Sequence, residues 1–308
     1  MNATRIRPRI TVPLTALALA SATLLVALPG TSNAVTNTCG ARNVTRDTAA
    51  GANLQRVIKR AHAGDTIQVK NRCVGNFWID KSLRIIGAPT AAMPTPVLNG
   101  NGTGRVLFLR YKTTVVTLTN LKLTGGSTPD YGGGIYSTAG KLTLNDVTVS
   151  GNLATGSVSA GGIYVSHQLI LNGSSNVSDN ASTGNGATGG GIYNSYGVVT
   201  LNDSASVSGN AAAGAAGGIQ NTGTVILGDN SSVTSNEATA DVGGGIWGGT
   251  VILKGSASVT GNSASIAGGG LYGNVLVQAC GPGVDEWVGA ISPNAPDDPP
   301  TVTLITCS

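Results

Sequence analysis

From residue 132 onward the apolar and polar positions repeat themselves. A Gly-Gly-Ile/Leu tract sets an apolar side chain at Ile135, Ile163, Ile192, Ile219, Ile246 and Leu271, at steps of 28, 29, 27, 27 and 25 residues. An apolar pair two residues apart follows each of the first five tracts: Leu142/Leu144, Leu169/Leu171, Val199/Leu201, Val225/Leu227 and Val251/Leu253. Alternation with period two turns both members to one face of a strand, so each pair predicts a short strand with its apolar side inward. A third strand is predicted around Val149, Val177, Val207, Val233 and Val259, each followed three residues later by Asn152, Asn180, Asn210, Asn236 or Asn262.

A period in this range signals a solenoid. Three short strands per repeat, joined by Gly, Asn and Asp turns, wind a coil whose like positions stack roughly 4.8 Å apart, each strand bonding the coils on either side. The predicted fold is therefore all-β, a parallel β-helix. The repeated asparagines suit a sharp, partly buried corner, where they tolerate left-handed backbone and each amide can bond to the next along the axis. Ordinary solvated turns are the alternative.

Less regular coils precede the array at Leu83 to Ile86, Val106 to Leu109, Val115 to Leu118 and Leu121 to Leu123. Before them Leu54, Val57, Ile58 and Ala61 share one helical face, which predicts a short cap helix over the open end of the first coil. The chain divides into an N-terminal cap over 35–65, the β-helix over 66–279 and a proline-rich C-terminal cap over 280–308 that ends in a strand-like run. Residues 1–34 read as a Sec-type signal peptide: Arg5, Arg7 and Arg9, an apolar stretch from Leu14 to Leu28, and a small-x-small cleavage site at Ser32-Asn33-Ala34. No later stretch is apolar enough for a membrane span. The expected destination is extracellular.

Composition bears this out in part. Only 4% of residues are aromatic while Gly numbers 46, so bulky packing cannot organise the core. The four cysteines, Cys39, Cys73, Cys280 and Cys307, suit disulfides in an oxidising compartment. Three pairings are open; Cys39 with Cys73 and Cys280 with Cys307 is favoured, because each bond would brace one end of the array. The mature chain is nearly neutral but segregated, with 12 Lys/Arg and 3 Asp over residues 35–112 against 3 Lys and 11 acids over 113–308. The basic end reads as attraction for an anionic surface or as a solvated cap. No nucleic-acid partner is expected.

Asn53-Leu54-Gln55 through Ala63-Gly64-Asp65-Thr66-Ile67, the Leu98-Asn99-Gly100 turn, the Gly-Gly-Ile tracts and the apolar-x-x-Asn motif together carry a resemblance. The chain resembles the pectate-lyase-like β-helix superfamily, and within it proteins with repeats like those of polymorphic outer membrane proteins. The resemblance implies a single-stranded right-handed parallel β-helix. Two departures stand out: Val replaces the Phe of the usual Phe-x-x-Asn, and the membrane barrel of those surface proteins is missing, which points to a secreted relative.

Enzymes of that fold carry carboxylates on adjacent coils, with Ca²⁺ and a basic residue in the lyases or paired acids in the hydrolases. Here only Asp203 and Asp229 fall on neighbouring coils, so a Ca²⁺ site or simple turn formation is expected there and no other cofactor. No arginine follows Arg110, and His62 and His167 each stand alone, so no catalytic set emerges. The glycine runs lack the strand-to-helix context of phosphate loops. Outward Thr148, Ser206, Ser232 and Ser258 are interrupted by Asn176, which spoils the uniform lattice an ice-binding face needs.

The more suggestive column follows the Gly-Gly-Ile tract: Tyr136, Tyr164, Tyr193, Gln220, Trp247 and Tyr272. Alternation with the inward Ile turns it outward. Such a row is either a platform for sugar rings or a self-supporting stack that shields the strands. The expectation is a non-catalytic exported module, adhesin-like or binding a polysaccharide or cell-surface glycan; a polysaccharide lyase or glycoside hydrolase of the same fold is the alternative.

Overall fold

A computed structural model describes residues 36–157, 160–279 and 302–306. The predicted signal peptide over 1–34, the expected pairing of Cys280 with Cys307 and most of the expected cap over 280–308 lie outside the described residues. The rest is an all-β parallel β-helix with one short helix.

Strands of successive coils pair in parallel and in register. Leu142 and Leu144 lie beside Leu169 and Leu171, and those beside Val199 and Leu201. The valine strands form an eight-stranded sheet that runs from Arg72–Val74 to Ser258–Thr260. The Gly-Gly-Ile strands and the apolar-x-Leu strands belong to one larger sheet, because in the later coils they merge into single strands, Ile219–Leu227 and Ile246–Leu253. Each merged pair keeps an irregularity where the earlier coils turn, as between Asn221 and Thr224.

Three predicted strands per coil are joined by a fourth, of two residues, directly after the asparagine: Leu153–Ala154, Ala181–Ser182, Ala211–Ala212. These form a six-stranded sheet of their own. Their inward positions, Ala154, Ser182, Ala212 and Ala238, are buried but small, so they give no apolar run that pattern analysis could read.

The core is a column of aliphatic side chains, with Ile135, Leu142, Leu144 and Val149 fully buried in one coil and their counterparts in the next. Beside it runs a buried polar column. Asn152, Asn180, Asn210, Asn236 and Asn262 are all at most 2% exposed. Each backbone N–H and side-chain Nδ2 donates to the Oδ1 of the next asparagine: from Asn180 to Asn210 both bonds are 3.0 Å, and from Asn236 to Asn262 both are 2.9 Å. The second Nδ2 hydrogen reaches back to a carbonyl of the preceding coil, that of Leu123 for Asn152 and of a valine for the other four, as from Asn210 to Val177 O at 2.9 Å. Buried amides are costly unless paired, and here both ends of each are used.

The glycine tract packs against this column. A Cβ on Gly191 would lie 2.7 Å from Gly218 O and 2.9 Å from the Asn210 side chain, and Gly162, Gly218 and Gly245 face Asn180, Asn236 and Asn262 in the same way. Gly-Gly-Ile and the distant asparagine are therefore one feature, a close approach between two corners of the same coil.

The N-terminal end is closed by three devices. The helix Leu54–Arg60 buries Leu54 and Ile58, and its Asn53 cap accepts the Arg56 N–H at 2.9 Å. A strand Gly40–Asn43, too weakly patterned to be read from sequence, pairs antiparallel with Thr66–Lys70. Cys39 and Cys73 form a disulfide that ties this segment to the first coil. At the other end Val302–Thr306 adds one more parallel strand beside Leu271–Ala279.

Asp65 pins the entry to the first coil. Its burial would raise the carboxyl pKa, but the His62 backbone N–H at 2.8 Å, the Asn43 amide at 2.6 Å and the Arg46 guanidinium at 2.7 Å all favour the anion and bring it down to about 2.

Candidate functional site: the aromatic column

The residues after the Gly-Gly-Ile tract lie side by side on the outside of the coil. Tyr136 pairs with Tyr164, Tyr164 with Tyr193, Tyr193 with Gln220, Gln220 with Trp247 and Trp247 with Tyr272. The column also extends toward the N-terminus, because Trp78 pairs with Phe108 and Phe108 with Tyr136. Seven of these eight consecutive rungs are therefore aromatic. Phe108 and Trp78 escape the repeat pattern because their coils lack the glycine tract; the triplets Phe77-Trp78-Ile79 and Leu107-Phe108-Leu109, an outward ring between inward apolar residues, were the available signal.

Within the column the rings meet one another. Phe108 stacks on Tyr136 with centroids 5.1 Å apart and Tyr164 on Tyr193 at 5.2 Å, while Tyr136 and Tyr164 are 5.1 Å apart but tilted by 53°. Tyr131, from the loop before the tract, leans on both Tyr136 and Tyr164. The stacked pairs Phe108–Tyr136 and Tyr164–Tyr193 meet by their faces, and the tilted Tyr136–Tyr164 contact joins the two pairs. Burial in this stack, and then the neighbouring Tyr164 phenol, raise the pKa of Tyr136 and Tyr193. Their hydroxyls are thus kept protonated, as uncharged donors along the exposed edge.

Two arginines overlie the N-terminal part. The Arg105 guanidinium sits 5.5 Å from the Phe108 centroid and 4.9 Å from that of Tyr136, and Arg110 sits 5.8 Å from Phe108. All three distances fall within cation–π range. A surface cleft of about 380 Å³ lies against this end of the column, lined by Asn76, Phe77, Trp78, Arg105, Phe108 and Arg110. Trp78 is 50% exposed. Its backbone is held from below by the cap helix, since the Gln55 side chain accepts the Trp78 N–H at 2.8 Å and donates to the Trp78 carbonyl at 3.1 Å. The Gln55 amide takes the place of one more rung.

Asp203 and Asp229 do lie on neighbouring coils, but both serve the corner. Asp229 Oδ2 accepts the Asp203 N–H at 2.8 Å, and Asp203 Oδ2 accepts that of Gly173 at 2.7 Å. Asp146, Gly173, Asp203, Asp229 and Gly255 all have φ between +53° and +64°. The alternation of Asp and Gly follows from that backbone, which few other residues tolerate. A Ca²⁺ ion needs about six to eight oxygens; among the described residues no three His, Cys, Asp or Glu side chains gather to hold a metal.

His62 is exposed in the cap, its backbone N–H given to Asp65. His167 stands in a surface hollow beside Tyr164 and Tyr196. Among the described residues no helix is long and apolar enough to cross a membrane. No family model, curated protein or solved structure matches the chain.

Proposed function

We propose that the protein is an exported, non-catalytic β-helix that binds glycan on its outer aromatic face, as an adhesin-like or cell-envelope module. The observation that carries this reading is the in-register run of aromatic residues from Trp78 to Tyr272 along one side of a rigid coil. Aromatic faces take the apolar faces of sugar rings, while phenol and guanidinium edges supply directional hydrogen bonds. The rigidity of the coil fixes the spacing of these groups before any ligand arrives, which lowers the ordering cost of binding. The stacking between Phe108 and Tyr193 refines the platform: ring faces are offered where the stack is interrupted, and polar edges elsewhere.

Export is part of the same proposal. It is supported by the N-terminal Arg-rich and apolar sequence and by the Cys39–Cys73 bond, which is compatible with an oxidising compartment. Kinship with the pectate-lyase-like superfamily and with polymorphic outer membrane protein repeats belongs here too, supported by the coupled Gly-Gly-Ile and asparagine columns. The test is to pass the mature chain over a panel of neutral and acidic polysaccharides. Retention without new reducing ends or unsaturated products is expected, and the combined variant Trp78→Ala, Tyr193→Ala, Trp247→Ala should lose it. Turnover of any polymer would replace this reading with an enzymatic one.

A further inference from the structure

The cleft between Trp78 and Phe108 differs from the rest of the column in two respects. It holds a surface hollow of about 380 Å³ against Trp78 and Phe108, with the volume of a single sugar ring. It is also where positive charge concentrates, since Arg105 and Arg110 both line it. We infer that this cleft is a binding subsite for an anionic saccharide unit, a sugar ring carrying a carboxylate, sulfate or phosphate group, with Trp78 as its floor and the two guanidiniums as its anion clamp. This inference rests on the glycan-binding reading and narrows it.

Three observations carry the argument. Arg105 Nε is buried and has no hydrogen-bond partner, an arrangement that costs free energy unless an acceptor arrives. The ion pair of Arg105 is with Asp130, through NH2 at 3.5 Å, and that Asp is 71% exposed, so this contact is long and readily exchanged for a better one. Arg110 is exposed, lies over Phe108 and Tyr111, and among the described residues has no carboxylate within 4.0 Å. Guanidinium forks match planar or tetrahedral anions by paired N–H donors, and a guanidinium already laid on a ring is pre-ordered for that contact. The surrounding sequence agrees, since residues 35–112 hold 12 Lys/Arg against 3 Asp.

A neutral glycan would leave both arginines unanswered. The ring between them would still find Trp78, so the charge sets selectivity and the indole sets the stacking contribution. Gln55 acts as a positioning residue, because its amide holds both backbone groups of Trp78.

Affinity electrophoresis of the mature chain against polygalacturonate, dextran sulfate, a phosphomannan and neutral dextran tests the inference. At least one acidic polymer is expected to retard the protein more than neutral dextran does, with retardation that falls as salt rises. Arg110→Gln removes an exposed charge without touching the core and should weaken that binding by about tenfold or more, as loss of a charge-assisted contact does. Trp78→Ala should weaken it comparably, and Tyr196→Ala, an exposed ring outside the column, should not. The polymer that responds identifies which acidic group is taken. Equal retardation by neutral dextran, or acidic binding indifferent to Arg110→Gln and Arg105→Gln, overturns the inference and leaves the glycan-binding reading standing. No retardation by any polymer overturns both.

Discussion

Asn210 makes five hydrogen bonds from one side chain: its Oδ1 accepts the N–H and Nδ2 of Asn180, and its Nδ2 donates to Val177 O, to Asn236 Oδ1 and, at 3.2 Å, to Ser208 O. Replacing it by alanine strands the Asn180 N–H and the Val177 carbonyl in a space from which water is excluded, while Asn236 Oδ1 keeps the Asn210 backbone N–H and Asn180 Nδ2 keeps Val149 O. At about 1–3 kcal/mol for each group left wanting, offset by relaxation, Asn210→Ala should cost about 3–5 kcal/mol of stability. Urea unfolding checks this, with Asn185→Ala, an exposed turn residue, expected to stay within about 0.5 kcal/mol of the parent. Equal midpoints for the two variants would show that the ladder is decoration. The column itself was legible in the sequence because one residue type recurs where only a buried, mutually bonded amide explains the choice. The Asp column was legible as a turn, but which way its carboxylates point was not: that depends on the left-handed backbone of the corner, which presents Asp203 and Asp229 to the N–H groups of the preceding coil.

Strands in this coil are short, and what aligns them is the approach of the glycine tract to the asparagine corner. Gly191 has backbone and amide atoms within 3 Å of where a Cβ would stand, and none of them is the far end of a flexible side chain. Gly191→Ala must therefore push two rungs apart, an overpacking cost of at least about 1–3 kcal/mol. Gly51, in the N-terminal cap, has nothing within 4 Å of that position, so Gly51→Ala should leave thermal unfolding unchanged. Comparable losses in both variants would mean that glycine here sets flexibility and not proximity. At this scale periodicity served well wherever inward positions are large: apolar side chains two apart have no other use in a stacked coil. It failed where they are small or polar, as in the two-residue strands at Ala154 and Ala212 and the antiparallel strand at Gly40–Asn43. It also fell short at the aromatic face, since Trp78 and Phe108 lie in coils without the glycine marker and the contact of Arg105 with Tyr136 crosses between coils, which no linear pattern records.

A solenoid is stabilised by contacts between adjacent coils, so its weakness lies at its ends and damage there need not spread. The N-terminal end depends on the helix, the antiparallel strand and the Cys39–Cys73 bond, which spans 34 residues of chain. A loop of that length is expected to contribute roughly 3–4 kcal/mol by restricting the unfolded chain. In Cys39→Ser/Cys73→Ser that stabilisation is lost locally. Hydrogen exchange should accelerate over Gly40–Asn43 and Thr66–Val74, while the coils around the asparagine ladder, from Thr148 to Thr260, keep their protection. The same local fraying would loosen Gln55 and so release Trp78, whose backbone it holds. Loss of ligand retention at unchanged protection of the ladder is the signature expected of a site built at the end of the array. If the whole array instead exchanged faster together, the coils would be one cooperative unit, and the separation between the end that recognises and the body that supports would not exist.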